Sequence, residues 1–146
     1  MLFRSGLFAR EVARTVSDCE GAGIELDVEP NLPLLQLDRT RIRLLLRNLL
    51  DNALRHSAGA AQPPVLRVAR EGDRVVLSVR DFGPGVDEAA LPRLAEPFWR
   101  PDASRERATG GVGLGLYLCK LVALAHGGEF TLRNAQPGLE VKVVLP

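Results

Sequence analysis

The longest amphipathic pattern in the chain lies between Arg41 and Ser57 and predicts a helix. At about 100° per residue, its apolar side chains cover one broad face, and polar side chains form a narrow stripe along the border of that face. Asn48 and Asn52 lie in this stripe, although asparagine is a weak helix former. They are either a solvated polar edge or part of a binding site. The apolar face comprises Ile42, Leu45, Leu46, Leu49, Leu50, Ala53 and Leu54, and Arg41 and Arg55 complete the polar stripe.

The remaining pattern predicts two further helices and a set of short strands. Apolar residues at helical spacing predict a helix from Leu7 to Asp18, with Leu7, Val12, Ala13 and Val16 on its apolar face. A last helix, Leu116 to Ala125, ends at Gly127 and Gly128 as helices with a glycine C-cap do. Alternation predicts strands at 24–28, 65–70, 74–80, 129–133 and 139–145. Pro30 and Pro33 bracket a short connection to a further short strand at 34–37, and a short helix is expected near 88–94.

Hairpins predominate among these strands, and this decides the fold class. The expected fold is α+β, a two-layer α/β sandwich in which a mixed, mostly antiparallel sheet carries the long helices on one face. Asp38 is the expected N-cap of the central helix, because its side chain can accept from the free amides of the first turn. At 146 residues, we expect one domain spanning 1–146.

Composition excludes several kinds of function but does not by itself indicate one. The formal net charge is +1 and the charges are interspersed, so no nucleic-acid groove and no membrane contact are expected. The two cysteines, Cys19 and Cys119, lie far apart, which indicates neither a disulfide framework nor a zinc site and favours a reducing compartment. No apolar run could span a bilayer, so we expect a cytoplasmic domain, with any inner-membrane anchor of the full-length protein on other residues.

Asp81 is the first candidate for chemistry. It continues the phase of Val75, Leu77 and Val79, so its carboxylate is expected to point towards the core. A buried carboxylate is costly without partners, and no lysine or histidine lies near it in sequence. Either a distant arginine pairs with it or it is held for a donor on a ligand. The glycines that follow would admit a flat ligand, although a glycine-rich turn after a strand is a competing interpretation.

A second glycine cluster, Gly110 to Gly115, leads directly into the last predicted helix. Free amides and the positive end of the dipole at a helix N-terminus favour phosphate, and glycines let a phosphate reach them. The cluster is neither a G-x-x-x-x-G-K-[ST] loop nor a dinucleotide fingerprint. A hinge for the preceding loop is a second and compatible interpretation.

Taken in order, four motifs resemble the ATP-binding catalytic domain of sensor histidine kinases. This domain belongs to the superfamily that also holds DNA gyrase, mismatch-repair and chaperone ATPases. The resemblance covers nearly the whole chain and implies the Bergerat fold; four ordered motifs are far more specific than any one of them. Asn48–His56 is similar to the N box, Asp81–Val86 to the first glycine box, Glu96–Arg100 to the F box and Gly110–Leu116 to the second glycine box.

The resemblance implies a site for ATP and Mg²⁺. Asp81 would accept the amino group of adenine, and Gly83 and Gly85 would line the base pocket. Asn52 would ligate Mg²⁺ through its amide oxygen, a hard neutral donor. Asn48, one helical turn earlier, would support the phosphates and the metal and take part in catalysis.

The same resemblance implies which residues would contact the phosphates and which would form a lid over the nucleotide. Arg55 would meet the phosphates as a catalytic cation, and His56 would face the phosphates or ribose, or else be packed or solvated. Residues 86–109 would form the lid over ATP, with Phe98 and Trp99 as its apolar anchor and one of Arg100, Arg105 and Arg107 near the γ-phosphate. The remaining nucleotide-binding residues would be Val86, Gly111, Val112, Gly113, Leu114, Gly115 and Leu116.

One position indicates the branch of the superfamily. Hydrolytic relatives place a general-base glutamate where this chain has Asn48, which cannot take a proton. A gyrase-like hydrolytic motor is therefore disfavoured, and phosphoryl transfer to a histidine, a competent nucleophile, is the coherent interpretation. The alternative is a regulatory module that binds adenine nucleotide without transfer, since Val112 replaces the Thr or Ser of many kinases.

The phosphoacceptor histidine is expected outside this chain. Neither His56 nor His126 lies in the H-E/D-x-x-x-P-like context of the family's acceptor, and His126 is expected to form a structural helix end. The resemblance therefore implies two partners. One is a histidine-bearing dimerisation domain, in the same full-length protein or on a separate chain, and the other is the receiver domain of a response regulator downstream.

Overall fold

The computed structural model describes residues 2–3, 5–18, 23–33, 35–57, 59–98 and 115–146. A single 3-10 turn, Leu91–Arg93, lies between the fifth strand and the last helix of this part of the chain. The helices are α1 (Ser5–Asp18), α2 (Arg39–His56) and α3 (Gly115–Ala125). The strands are β1 (Leu2–Phe3), β2 (Glu25–Val28), β3 (Leu35–Gln36), β4 (Val65–Glu71), β5 (Arg74–Arg80), β6 (Glu129–Asn134) and β7 (Leu139–Leu145).

Five strands form one mixed sheet in the order β2-β4-β5-β7-β6. β2 pairs with β4 in parallel, and the other three neighbouring pairs are antiparallel. Hydrophobic residues at alternate positions line up across this sheet, as where Val68 faces Leu77 and Leu77 faces Val143. The expected mixed, mostly antiparallel sheet of an α+β fold is confirmed.

The core lies between this sheet and α2. Four α2 leucines, Leu45, Leu46, Leu49 and Leu50, are at most 1% exposed, which confirms the apolar face predicted from helical spacing. Leu54 at the edge of that face is only partly buried. Since α3 lies against α2 and the β6–β7 end of the sheet, the two helices enclose the core from one side.

Asp38 caps α2 as predicted. Its carboxylate accepts from the amide of Arg41 at 3.1 Å, and this hydrogen bond lowers the pKa of Asp38 from its ordinary value of 3.8. The backbone amide of Asp38 donates to Nε2 of His126 at 3.0 Å, and Nδ1 of that ring lies 2.8 Å from the carbonyl of Val122. His126 therefore carries its proton on Nδ1. It ties the end of α3 to the start of α2.

The helix α3 ends in the expected glycine C-cap. Gly127 donates to the carbonyl of Leu124 at 3.0 Å, and Gly128 donates to that of Ala123 at 2.8 Å. These are the two hydrogen bonds of a Schellman motif. The cap fixes the orientation of His126, the residue between the helix and these glycines.

Part of the burial predicted from the sequence pattern is wrong at the N-terminal edge of the fold. In α1, Val12 is buried as expected, but Ala13 is exposed and Thr15 takes its place at 8% exposure. The short strand expected at 34–37 is confirmed as β3, but its partner β1 was not predicted, because a strand of two residues is too short to show a period. Leu26 is 39% exposed because β2 lies at the edge of the sheet, so its alternation is weaker than predicted.

No helix in the described part of the chain combines the length and the apolar character needed to cross a bilayer.

Candidate functional site

Asp81 directly follows β5 and is 2% exposed. Its Oδ1 accepts from the amide of Gly83 at 3.0 Å and from that of Leu139 at 3.2 Å. Backbone amides therefore hold this carboxylate, and no arginine in the described residues pairs with it. Within the same residues, Oδ2 has no hydrogen-bond partner. One oxygen fixes the carboxylate, and the other remains available as an acceptor.

The turn after Asp81 is pressed between two other segments. A Cβ added at Gly83 would lie 1.9 Å from the carbonyl oxygen of His56, and one added at Gly138 would lie 1.9 Å from that of Asp81. Real Cβ atoms do not approach oxygen so closely. Glycine at both positions therefore lets the turn contact the end of α2 on one side and the loop after β6 on the other.

Arg80 holds the same loop from the other face of the sheet, a role that sequence reasoning missed. Its guanidinium donates to the carbonyls of Ala135 at 3.2 Å and Pro137 at 3.4 Å and lies 4.5 Å from the ring centroid of Phe82. The loop that Arg80 holds leads into Leu139, whose amide fixes Asp81. No local sequence signal reveals the two carbonyl contacts, because Ala135 and Pro137 lie more than fifty residues from Arg80.

Asn48, in the polar stripe of α2, lies beside the start of α3. Nδ2 of Asn48 donates to the carbonyl of Leu44 at 2.8 Å, which orients its amide. Its Oδ1 then lies 3.3 Å from where a Cβ on Gly115 would be. Asn52, one turn further along α2, is only 7% exposed. A buried amide at a helix border disfavours the interpretation of a solvated polar edge for Asn52.

Some of the other expected site residues lie in the described part of the chain, and the rest lie outside it. Arg55 is exposed and His56 half-buried at the end of α2, and Val86 is half-buried beside the core. Leu116 is 7% exposed, and its side chain packs in the hydrophobic core. The residues that lie outside the described ranges are Gly111, Val112, Gly113, Leu114, Trp99, Arg100, Arg105 and Arg107.

The first half of the predicted lid packs more firmly than its composition indicates. The expected short helix at 88–94 is only the 3-10 turn, yet Leu94 and Ala95 beside it are 9% and 8% exposed. The turn borders a cavity of about 430 Å³ lined also by α3 and β6. Phe98, the expected apolar anchor, is 71% exposed and has a φ of 64°. Leu94 and Ala95 pack in the hydrophobic core, and Phe98 does not.

The described residues contain no group of three or more His, Cys, Asp or Glu side chains that could hold a metal ion. A metal ion bound at the polar stripe of α2 would therefore have few ligands from the described residues and would take others from a bound substrate or water. Mg²⁺ commonly binds in this way, through one or two protein oxygens together with substrate phosphates. The amide oxygen of Asn52 fits such a partial site.

Comparison with known proteins identifies the domain. Residues 37–146 match the family model described as histidine kinase-, DNA gyrase B- and HSP90-like ATPase. The chain is 44% identical over 115 residues to the alginate biosynthesis sensor protein KinB of Pseudomonas aeruginosa, covering 79% of this chain and 18% of KinB. It is 37% identical over 137 residues to the sensor histidine kinase YkoH of Bacillus subtilis, covering 94% and 29%. The chain thus spans less than a third of either relative.

Solved structures agree with the sequence comparison. The mycobacterial sensor histidine kinase MprB superposes with a TM-score of 0.74 at 26% identity, covering 95% of this chain and 93% of that one. Full-length ShkA, solved in complex with AMPPNP, gives a TM-score of 0.73 at 30% identity over 97% and 29% of the two chains. The chain therefore belongs to the histidine kinase-, DNA gyrase B- and HSP90-like ATPase family, as an ATP-binding catalytic domain of the sensor histidine kinase type.

Proposed function

We propose that residues 1–146 form one catalytic domain that binds Mg-ATP and donates the γ-phosphoryl group to a histidine outside this chain. The observation that carries the proposal is that Oδ2 of Asp81 has no hydrogen-bond partner in the described residues, while the other oxygen of this buried residue is fixed by two backbone amides. Adenine offers it an amino donor. Guanine has a carbonyl oxygen at the same ring position, which would face the carboxylate lone pairs and be rejected.

The phosphates are proposed to lie between Asn48 of α2 and the start of α3. Asn48 and Gly115 approach each other there, and the free amides of a helix N-terminus favour negative charge. Gly111, Val112, Gly113 and Leu114 would bring backbone groups to the same phosphates, with residues 86–109 as the lid. Arg55, exposed at the end of α2, would add a positive charge.

Mg²⁺ is the proposed metal, with Asn52 as its protein ligand. The fit rests on the chemistry of the donor, the amide oxygen of a residue that is 7% exposed and lies on α2 one turn after Asn48. When bound, Mg²⁺ would neutralise phosphate charge. Asn48 would orient the phosphates alongside it, since the bond from Nδ2 to Leu44 turns Oδ1 towards the start of α3.

The reaction proposed is transfer rather than hydrolysis. Asn48 stands where a general base would activate water, and an amide cannot take up that proton. An imidazole nitrogen needs no such base. It would form the new P–N bond as the bond from the γ-phosphorus to the β-phosphate oxygen breaks, with ADP as leaving group and the imidazole proton released to solvent.

The acceptor is proposed to be a histidine on a dimerisation domain, with a response-regulator receiver domain as the later recipient. Relatives such as KinB and YkoH, of which this chain spans only a part, are named as sensor proteins. Cytoplasmic placement of the domain is proposed on the same grounds, with any membrane anchor elsewhere in the full-length protein. No contact of this domain with nucleic acid or membrane is proposed.

Asn52→Ala is expected to weaken ADP binding about tenfold in the presence of Mg²⁺, or about 1.4 kcal/mol. In EDTA the variant and the wild type should bind ADP equally, because only the metal-dependent part of the affinity is lost. Calorimetric titration of ADP with and without Mg²⁺ checks this. Asp51→Ala, on the neighbouring exposed position of α2, is the matched control and should behave as wild type in both buffers. An equal loss in both buffers would contradict Asn52 as the metal ligand.

A further inference from the structure

We infer that Asn134, the last residue of β6, is a positioning residue for the adenine site. Its Oδ1 accepts from the amide of Val86 at 3.1 Å, and its Nδ2 donates to the carbonyl of Val86 at 2.7 Å. Nδ2 also lies 3.1 Å from a carboxylate oxygen of Glu88. One side chain thus satisfies both backbone groups of Val86, as a neighbouring strand would.

Val86 is the residue at which the turn from Asp81 ends and the proposed lid begins. The amide of Leu139 holds the Asp81 carboxylate, and the Asn134 side chain holds Val86. The two ends of one loop, 134–139, therefore fix the two ends of the glycine turn. Gly85 lies directly against the side chain of Asn134, since a Cβ on Gly85 would be 2.8 Å from Oδ1 of Asn134.

The role requires an acceptor and a donor on one short side chain. Asn134→Asp keeps the shape and the acceptor but removes both donors, and it places a carboxylate beside the carbonyl of Val86 and the carboxylate of Glu88. A protonated carboxyl would restore one donor. We expect the Val86 carbonyl and the Glu88 carboxylate to disfavour the charged form and so raise the pKa of the new carboxyl, whose neutral fraction then grows as the pH falls.

The inference rests on the proposed function, because its main readout is ADP affinity. Relative to wild type at the same pH, Asn134→Asp is expected to bind ADP about tenfold more weakly at pH 8 and about threefold more weakly at pH 5. Asn134→Ala should show a loss that does not recover with acid. A residue that only stabilised the fold would not give this difference between the two variants.

The experiment is calorimetric titration of ADP at both pH values, together with amide exchange of Val86 in the nucleotide-free protein. Thr131→Ala, at an exposed position of the same strand, is the control and should match wild type. Adding Glu88→Gln to Asn134→Asp should recover part of the affinity at pH 8 by removing the like charge. Faster exchange at Val86 in Asn134→Asp, with the acid recovery of affinity, would support the role.

Wild-type affinity in Asn134→Asp at pH 8, or unchanged exchange at Val86, would overturn the inference. If Asn134→Asp fails to fold at pH 8, Asn134→Ser, which keeps a donor and an acceptor, replaces it. Its Val86 amide should then exchange more slowly than in Asn134→Ala, and equal exchange would overturn the role. If the wild type itself does not bind ADP, the proposed function fails, while the exchange of Val86 still tests the positioning contact by itself.

Discussion

Asp81→Asn is expected to weaken ADP binding from about tenfold to more than a hundredfold while leaving the fold intact. The amide oxygen of the variant can still accept from the amides of Gly83 and Leu139, so the turn should hold. The atom that replaces Oδ2 becomes a donor and meets the amino group of adenine with its own hydrogens. The lost charge-assisted bond is worth roughly 1.5–3 kcal/mol.

Calorimetric titration of ADP into wild type and variant measures this loss directly. Asp87→Asn, an exposed carboxylate six residues further on, removes the same charge without touching the turn and should bind ADP as wild type does. Titration with GDP should give little binding to the wild type. ADP affinity of Asp81→Asn within twofold of wild type would rule out Asp81 as the adenine acceptor.

Gly83→Ala is expected to disturb both the fold and the site. Its Cβ would meet the carbonyl oxygen of His56 at 1.9 Å, and a backbone contact cannot be relieved by rotating a side chain. The turn must move away from α2, at a cost of about 1–3 kcal/mol in the free energy of unfolding. Because the amide of Gly83 holds Asp81, ADP binding should fall with it.

Thermal unfolding and ADP titration check this prediction together. Gly23→Ala is the matched control, since the nearest atom to its Cβ would be that of Pro63 at 3.8 Å, an ordinary contact. The control should keep the stability and ADP affinity of the wild type. If Gly83→Ala matched the control in both measurements, the close packing of the turn on α2 would not matter for the site.

Much of the fold could be predicted because its strongest signals are periodic. The leucine face of α2 and the alternation in β4, β5 and β7 each record one buried face, and the structure confirms them. The phase of β5 also placed Asp81 correctly, since a strand alternates faces strictly. Asp38 as a cap and the glycines after α3 were predictable because both use local chemistry.

The site was less predictable because its supports are not local. The amide that fixes Asp81 comes from Leu139, and the side chain that fixes Val86 comes from Asn134. Both depend on the pairing of β5 with β7 and of β7 with β6, which no single segment encodes. The parallel pairing of β2 with β4 is another long-range choice. The packing of Leu94 was not predicted, because the family resemblance assigned the apolar anchor of the lid to Phe98 and Trp99.

The positions of the two histidines disfavour self-transfer at the proposed phosphate site. Both ring nitrogens of His126 are engaged, with Asp38 and with Val122. His126 also follows the far end of α3, whose 11 residues span about 16 Å from the end that approaches Asn48. His56 lies on α2, the proposed binding helix, and its carbonyl packs against Gly83. We therefore expect neither histidine to attack in line a γ-phosphate bound at the proposed site by the start of α3.

The central claim is that this domain binds ATP and passes its γ-phosphoryl group to a histidine elsewhere. Incubation with ATP labelled at the γ-phosphate, with and without a helical-hairpin fragment bearing an acceptor histidine, tests it most directly. We expect the isolated chain to bind ATP with neither stable label nor appreciable phosphate release, and the added fragment to become labelled with an acid-labile phosphate. Acid-labile label on the isolated chain, or rapid release of free phosphate, would contradict the account.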